Sequence, residues 1–222
     1  MDGYKDLLEL CHSRSNPSKA LSMKAYMKHK FEYFGISSPV RKEIVKEYKS
    51  NYAVKCDLHI WNLVSVLWAD PNREMQYIAL DLLTPLAKKM DCSHLPVLEK
   101  MVLSKSWWDT VDTIVPNIIG NIFKRSTTCR DSYIYKWIEN ENIWLQRSAA
   151  IFQLKYANDT DWDLMCGAIL KNDRSTDFFV RKGQGWALRQ YSKYQPLRVR
   201  QFIDSNPQLS GLTKREALRN IK

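Results

Sequence analysis

Trp107-Trp108-Asp109-Thr110-Val111-Asp112-Thr113-Ile114-Val115-Pro116-Asn117-Ile118-Ile119 is the stretch from which the fold is read. Val111, Ile114, Val115, Ile118 and Ile119 recur at the spacing of one helix face, which predicts a helix over about 107–123. Three other stripes share that period: Met75, Ile78, Ala79 and Leu82; Leu145, Ala149, Phe152 and Tyr156; Val180, Gly183, Ala187 and Tyr191. Strand-type alternation is nearly absent. Proline falls mostly at helix starts, as in Asn16-Pro17-Ser18, Ser38-Pro39 and Asp70-Pro71, where it costs no intrahelical hydrogen bond. Helices are expected over about 4–13, 18–29, 39–49, 57–68, 71–88, 93–104, 107–123, 128–139, 141–156, 160–171, 176–192, 196–204 and 213–221, joined by short connections.

The stripes recur at a fixed step. Ala79, Val115, Ala150 and Ala187, taken as equivalent points, are separated by 36, 35 and 37 residues. Two helices per step is the pattern of a HEAT-like α-solenoid. The expected fold is therefore all-α: a single curved domain over 1–222, right-handedly curved, with equivalent positions aligned along a concave basic groove. Trp108, Arg147 and Trp186 are 39 residues apart in succession, and Arg147 and Trp186 lie off the apolar stripes. Asp112, four residues after Trp108, shares its face. One groove could hold all four. Trp107 is expected to pack and Trp108 to border the groove, with Asp109 a solvated acid of the first turn. Gly183 and Gly185 lower helix propensity, so their expected use is close approach to a neighbouring helix or a ligand.

Composition narrows the function. The formal charge is +10, from 34 Lys+Arg against 24 Asp+Glu, and no single basic run accounts for it. A polyanion is the expected partner class. No apolar run approaches the ~20 residues that span a bilayer. Met1-Asp2-Gly3-Tyr4-Lys5 begins acidic and lacks the core of a signal peptide, so a cytosolic or nuclear compartment is expected. The cysteines Cys11, Cys56, Cys92, Cys129 and Cys166 are odd in number and widely spaced, which argues against a disulfide framework and against zinc. The histidines are scattered too, and neither a metal nor a cofactor is expected.

A carboxylate beside an indole suits a cation, while the basic body seeks a polyanion. A DNA base alkylated at purine N3 or N7 meets both demands, because its ring is positively charged yet attached to phosphates. An indole face attracts such a ring by about 0.5–2 kcal/mol. The base departs neutral, needing no general acid, and charge grows on the deoxyribose. A carboxylate steadies that charge and can orient a water, as in glycosidases. Asp112 is the candidate. Each residue also has a structural alternative: a helical Trp as core, Asp112 as a surface acid or an arginine partner, Arg147 as a salt-bridge residue, Trp186 as filler between helices.

Four segments carry a family resemblance: Phe34-Gly35-Ile36-Ser37-Ser38-Pro39-Val40-Arg41; Ser106-Trp107-Trp108-Asp109-Thr110-Val111-Asp112; Leu145-Gln146-Arg147-Ser148-Ala149; and Gly185-Trp186-Ala187-Leu188-Arg189. In order and separation they resemble the AlkD-type alkylpurine DNA glycosylases, which are built of HEAT-like repeats. The resemblance implies a monofunctional glycosylase that releases cationic N3- and N7-alkylated purines from double-stranded DNA and leaves an abasic site. It implies Asp112 as the catalytic carboxylate, Trp108 and Trp186 as aromatic walls, and Arg147 beside the DNA backbone. Arg189 and Lys155 are implied phosphate contacts. Ser37 and Ser38 would stand at a helix N-terminus, where backbone N–H groups bind phosphate. It further implies action without a base-binding pocket. A monomer would suffice, with no obligate protein partner and no membrane, in the cytoplasm near the nucleoid or in a eukaryotic nucleus. Two other readings stand beside this one: a non-catalytic nucleic-acid-binding solenoid, and a protein-binding scaffold.

Overall fold

The computed structural model describes residues 2–55 and 57–221. Met1 and Cys56, read above, lie outside the described residues. The chain divides into two compact units, Met1–Met90 and Asp91–Lys222. Both are helical, and among the described residues the only β-type pairing is an isolated parallel bridge between Glu32 and Asn72.

The first unit holds α1 (Asp2–Ser13), α2 (Pro17–Tyr26), α3 (Ser38–Asn51), α4 (Leu58–Ala69) and α5 (Arg73–Leu83). Asn16 caps α2 by accepting the Lys19 N–H, with Pro17 in the first turn, as read. Asp70 instead closes α4, and Asn72 caps α5. α1 packs on α3 and α4, and α5 on α3 and α4, around Leu7, Ile44, Leu67, Met75, Ile78 and Leu82. The helix expected over 71–88 stops at Leu83 and tightens into a 3-10 turn, Thr84–Lys89. Pro85 is the reason: it has no N–H to offer the Asp81 carbonyl.

The second unit holds α6 (Leu95–Leu103), α7 (Trp108–Ile114), α8 (Gly120–Arg125), α9 (Thr127–Ile138), α10 (Ile143–Ile151), α11 (Trp162–Lys171), α12 (Phe178–Tyr191), α13 (Pro196–Ser205) and α14 (Gly211–Leu218). α7, α10, α12 and α14 follow one another side by side, while α6, α9, α11 and α13 pack as their partners. This is the helix-pair repeat read from the sequence. Its equivalent points, Val115, Ala150 and Ala187, are all buried, as is Ala79 in the first unit. The helix expected over 107–123 is interrupted by a π-helical segment, Val115–Ile119. Pro116 cannot bond to the Asp112 carbonyl, and the backbone widens by one residue to pass it. Gly185 meets a neighbouring helix, as one of its two readings held: a Cβ there would lie 2.7 Å from the Thr213 carbonyl of α14.

One expectation is overturned. Cys92 and Cys129 form a disulfide, with Cα atoms 6.1 Å apart and a sequence separation of 37. The separation is one repeat step, so stacking sets two residues distant in sequence side by side. Counting cysteines for a small-domain framework misses a pair made this way. Cys11 and Cys166 are free and buried, and burial pushes each thiol up to about 12.

Candidate active site

The second unit assembles three of the residues singled out in the sequence around one ion pair. Asp112 stands near the end of α7, Arg147 in the second turn of α10, and Trp186 in the middle of α12. Arg147 grips Asp112 with a fork: Nε donates to Oδ1 at 2.8 Å and Nη2 to Oδ2 at 2.7 Å. Nη1 donates to the Phe179 carbonyl at the start of α12. The guanidinium carbon lies 5.9 Å from the Trp186 ring centre. Trp108 is one turn before Asp112 on α7 and half-buried, as is Trp186.

Exposure shows which member of the pair faces outward. The Arg147 side chain is 4 % exposed and the Asp112 side chain 16 %. The cation is sealed and the anion lies nearer the opening. Each carboxylate oxygen accepts one bond from the fork and keeps a lone pair for another partner. Burial raises the Asp112 carboxyl above its ordinary value; the Arg147 bonds and charge oppose that rise, and Asp109 adds to it. The site is therefore a guanidinium-braced carboxylate beside an indole, suited to a positive centre that forms at its open side.

Two further features hold the brace, and the sequence reading did not connect them to it. Gly183 of α12 faces Arg147: a Cβ there would lie 3.0 Å from Nη1 and 3.2 Å from Cγ. Of the two approaches offered for this glycine, a neighbouring helix or a ligand, the structure shows the first, through an arginine that α10 carries. Behind the pair, Trp107 meets Phe179 at 4.9 Å and Trp144 at 5.8 Å between ring centres. Trp107 thus packs, as expected. Phe179 was missed altogether, because its backbone carbonyl makes the contact and no side-chain pattern reports that. Asp109 does lie in the first turn of α7 but is half-buried rather than fully solvated.

The residues expected at phosphates are placed differently from one another. Arg147 lies off the apolar stripe and is nonetheless buried, its donors turned to Asp112 and Phe179. Arg189 pairs with Glu216 of α14 at 2.5 Å. Lys155 is exposed. Ser37 occupies the N-cap position of α3 in the first unit without a side-chain capping bond, with Ser38 and Pro39 in the first turn. The loop before it is fixed by the buried Glu74, which accepts the N–H groups of Phe34, Gly35 and Ile36 at 2.9–3.1 Å. Among the described residues no group of three or more His, Cys, Asp or Glu is arranged to hold a metal ion. Nor is any helix there long and apolar enough to cross a membrane.

A family model described as "DNA alkylation repair enzyme" matches residues 8–221. The chain belongs to the DNA alkylation repair enzyme family. A solved structure, described as a predicted DNA alkylation repair enzyme from Enterococcus faecalis, superposes with a TM-score of 0.86. The two are 29 % identical, over 93 % of this chain and 96 % of that one. No curated protein matches the chain. As a DNA alkylation repair enzyme it acts in the repair of alkylated DNA, with DNA as substrate. The basic charge read from the sequence accords with that substrate.

Proposed function

We propose that this DNA alkylation repair enzyme is a monofunctional glycosylase, hydrolysing the N-glycosidic bond of cationic N3- and N7-alkylated purines in duplex DNA and leaving an abasic site. One observation carries the reading: a buried arginine forks onto Asp112 and leaves the carboxylate, not the guanidinium, nearer solvent. The arginine is almost wholly sealed and its guanidinium also lies beside the Trp186 ring, so the carboxylate is held at an indole-lined opening.

In this mechanism the alkylated purine is already a good leaving group, because it departs neutral. As the bond to the sugar lengthens, positive charge moves onto C1′ and the ring oxygen. Asp112 steadies that charge electrostatically and orients the water that adds to C1′. Trp108 and Trp186 flank the cationic nucleotide, where their ring faces favour positive charge. Arg147 is a positioning residue: it holds Asp112 in a single rotamer and favours its ionised form. The reaction requires neither metal nor organic cofactor. Lys155, Ser37 and Ser38 remain proposed phosphate contacts, and Arg189 becomes one only if it releases Glu216. A basic groove, monomeric action and a cytoplasmic, nucleoid-associated or nuclear location belong to the same proposal.

The test is mass-spectrometric detection of free base after incubating methylated duplex DNA with the enzyme and with Asp112→Asn. The enzyme should release 3-methyladenine or 7-methylguanine, and the variant should be slower by about 10²–10³-fold, the usual loss for one preorganised electrostatic group. Equal release by both removes Asp112 from the mechanism. Tight DNA binding without release supports the non-catalytic reading.

A further inference from the structure

We infer that Cys92 and Cys129 form a thiol–disulfide exchange site, through which a small thiol such as glutathione loosens or staples the segment that carries Asp112. Three observations meet there. The bond joins the 3-10 turn Cys92–His94, just before α6, to the first turn of α9. Both cysteines are half-exposed, whereas Cys11 and Cys166 are buried with thiols raised to about 12. The covalent loop between them contains α6, α7, the π-helical segment and α8, and therefore Trp107, Trp108 and Asp112. Reduction opens the one covalent cross-link that closes this loop.

The two sulfurs are not equivalent. Cys129 is the third residue of α9, a helix of 12 residues, and its N–H is capped by the Ser126 hydroxyl at 3.4 Å. The positive end of this 12-residue helix steadies a departing thiolate, whereas Cys92 opens a three-residue 3-10 turn directly after the Asp91 carboxylate, so Cys129 is the better leaving sulfur. A glutathione thiolate therefore attacks Cys92 Sγ. The Cys92–Cys129 bond breaks, the electron pair departs on Cys129, and glutathione is joined to Cys92. A second glutathione thiolate attacks the glutathione sulfur and releases Cys92. Two thiols have then given up two electrons as glutathione disulfide, and Cys92 and Cys129 each take up a proton.

The test uses the full chain in buffers of graded reduced-to-oxidised glutathione ratio, acid-quenched, alkylated and mapped by mass spectrometry. The linked Cys92–Cys129 peptide should convert reversibly to two alkylated peptides while the circular dichroism stays helical. Briefly quenched samples should carry glutathione on Cys92. Reduction should lower the melting temperature by roughly 8–15 °C, as expected for a loop of this length, and speed amide exchange across α6 and α7. Cys92→Ser should melt with the reduced enzyme and ignore the buffer. Two thiols that persist in fully oxidised buffer overturn the site. So does a bond that yields only when the chain unfolds. Glutathione found on Cys129 instead overturns the assigned direction, and equal melting of the two forms overturns the staple. None of these readouts depends on the enzyme's reaction.

Discussion

Replacing Arg147 by methionine keeps most of the volume and removes the guanidinium. The structure sets the scale of the loss. Two charge-assisted bonds to Asp112, at 2.8 and 2.7 Å, disappear together with the bond to the Phe179 carbonyl. Removing one partner of a buried ion pair costs about 3–5 kcal/mol, because the other charge stays behind unpaired. Part of that is recovered here, since the Asp112 side chain is 16 % exposed and water can reach it. The expected destabilisation is about 2–4 kcal/mol, read from urea unfolding. The same change acts on the titration of Asp112. Burial already raises that carboxyl, and Arg147 opposes the rise. Without Arg147 the carboxyl rises further. The proposed reaction uses ionised Asp112, so the rate should fall as pH drops through the folded-state pKa, and the acid limb of kcat/KM should move to higher pH in the variant. Arg147→Lys keeps a charge but not the fork, and should fall between the two. Base release across pH 4–8 by both variants is the assay. An unmoved acid limb, with stability intact, refutes the brace as described.

Other outcomes follow from particular contacts. Gly183→Ala sets a methyl 3.0 Å from Arg147 Nη1 and should displace the fork, lowering kcat more than it raises KM, with a stability loss of about 1–3 kcal/mol in thermal melts. Glu74→Gln leaves one amide oxygen where two carboxylate oxygens receive three backbone N–H groups, and should cost about 1–3 kcal/mol by denaturant titration. Burial raises the Glu74 carboxyl above its unfolded value, so the folded state holds the proton more tightly, and stability should fall as pH rises through that window; the Gln variant should lose this slope. Lys155→Ala should weaken DNA binding and flatten its dependence on salt, whereas Arg189→Ala, whose partner is Glu216, should alter melting more than the salt slope measured by fluorescence anisotropy.

Helix content and the repeat step were readable in the chain because both depend on spacing within a few turns: Val111, Ile114, Val115 and Ile118 state their period without reference to any partner. The cap at Asn16 is local for the same reason. The prolines show where that reasoning ends. Pro116 and Pro85 fall inside strong apolar stripes, and only the backbone shows whether the helix stops, tightens or widens to pass them. The site was half visible. Trp108 and Asp112 share a helix face by spacing alone, and the 39-residue steps drew Arg147 and Trp186 toward them. That Arg147 is sealed while Asp112 lies nearer the opening depends on the packing of α10 between α7 and α12, on the backbone carbonyl of Phe179 and on the missing side chain of Gly183. The Cys92–Cys129 bond is of the same kind. Periodicity reports which residues share a face of their own helix; contacts between residues about one repeat apart arise only when the helices stack, since they depend on the register in which neighbouring repeats meet.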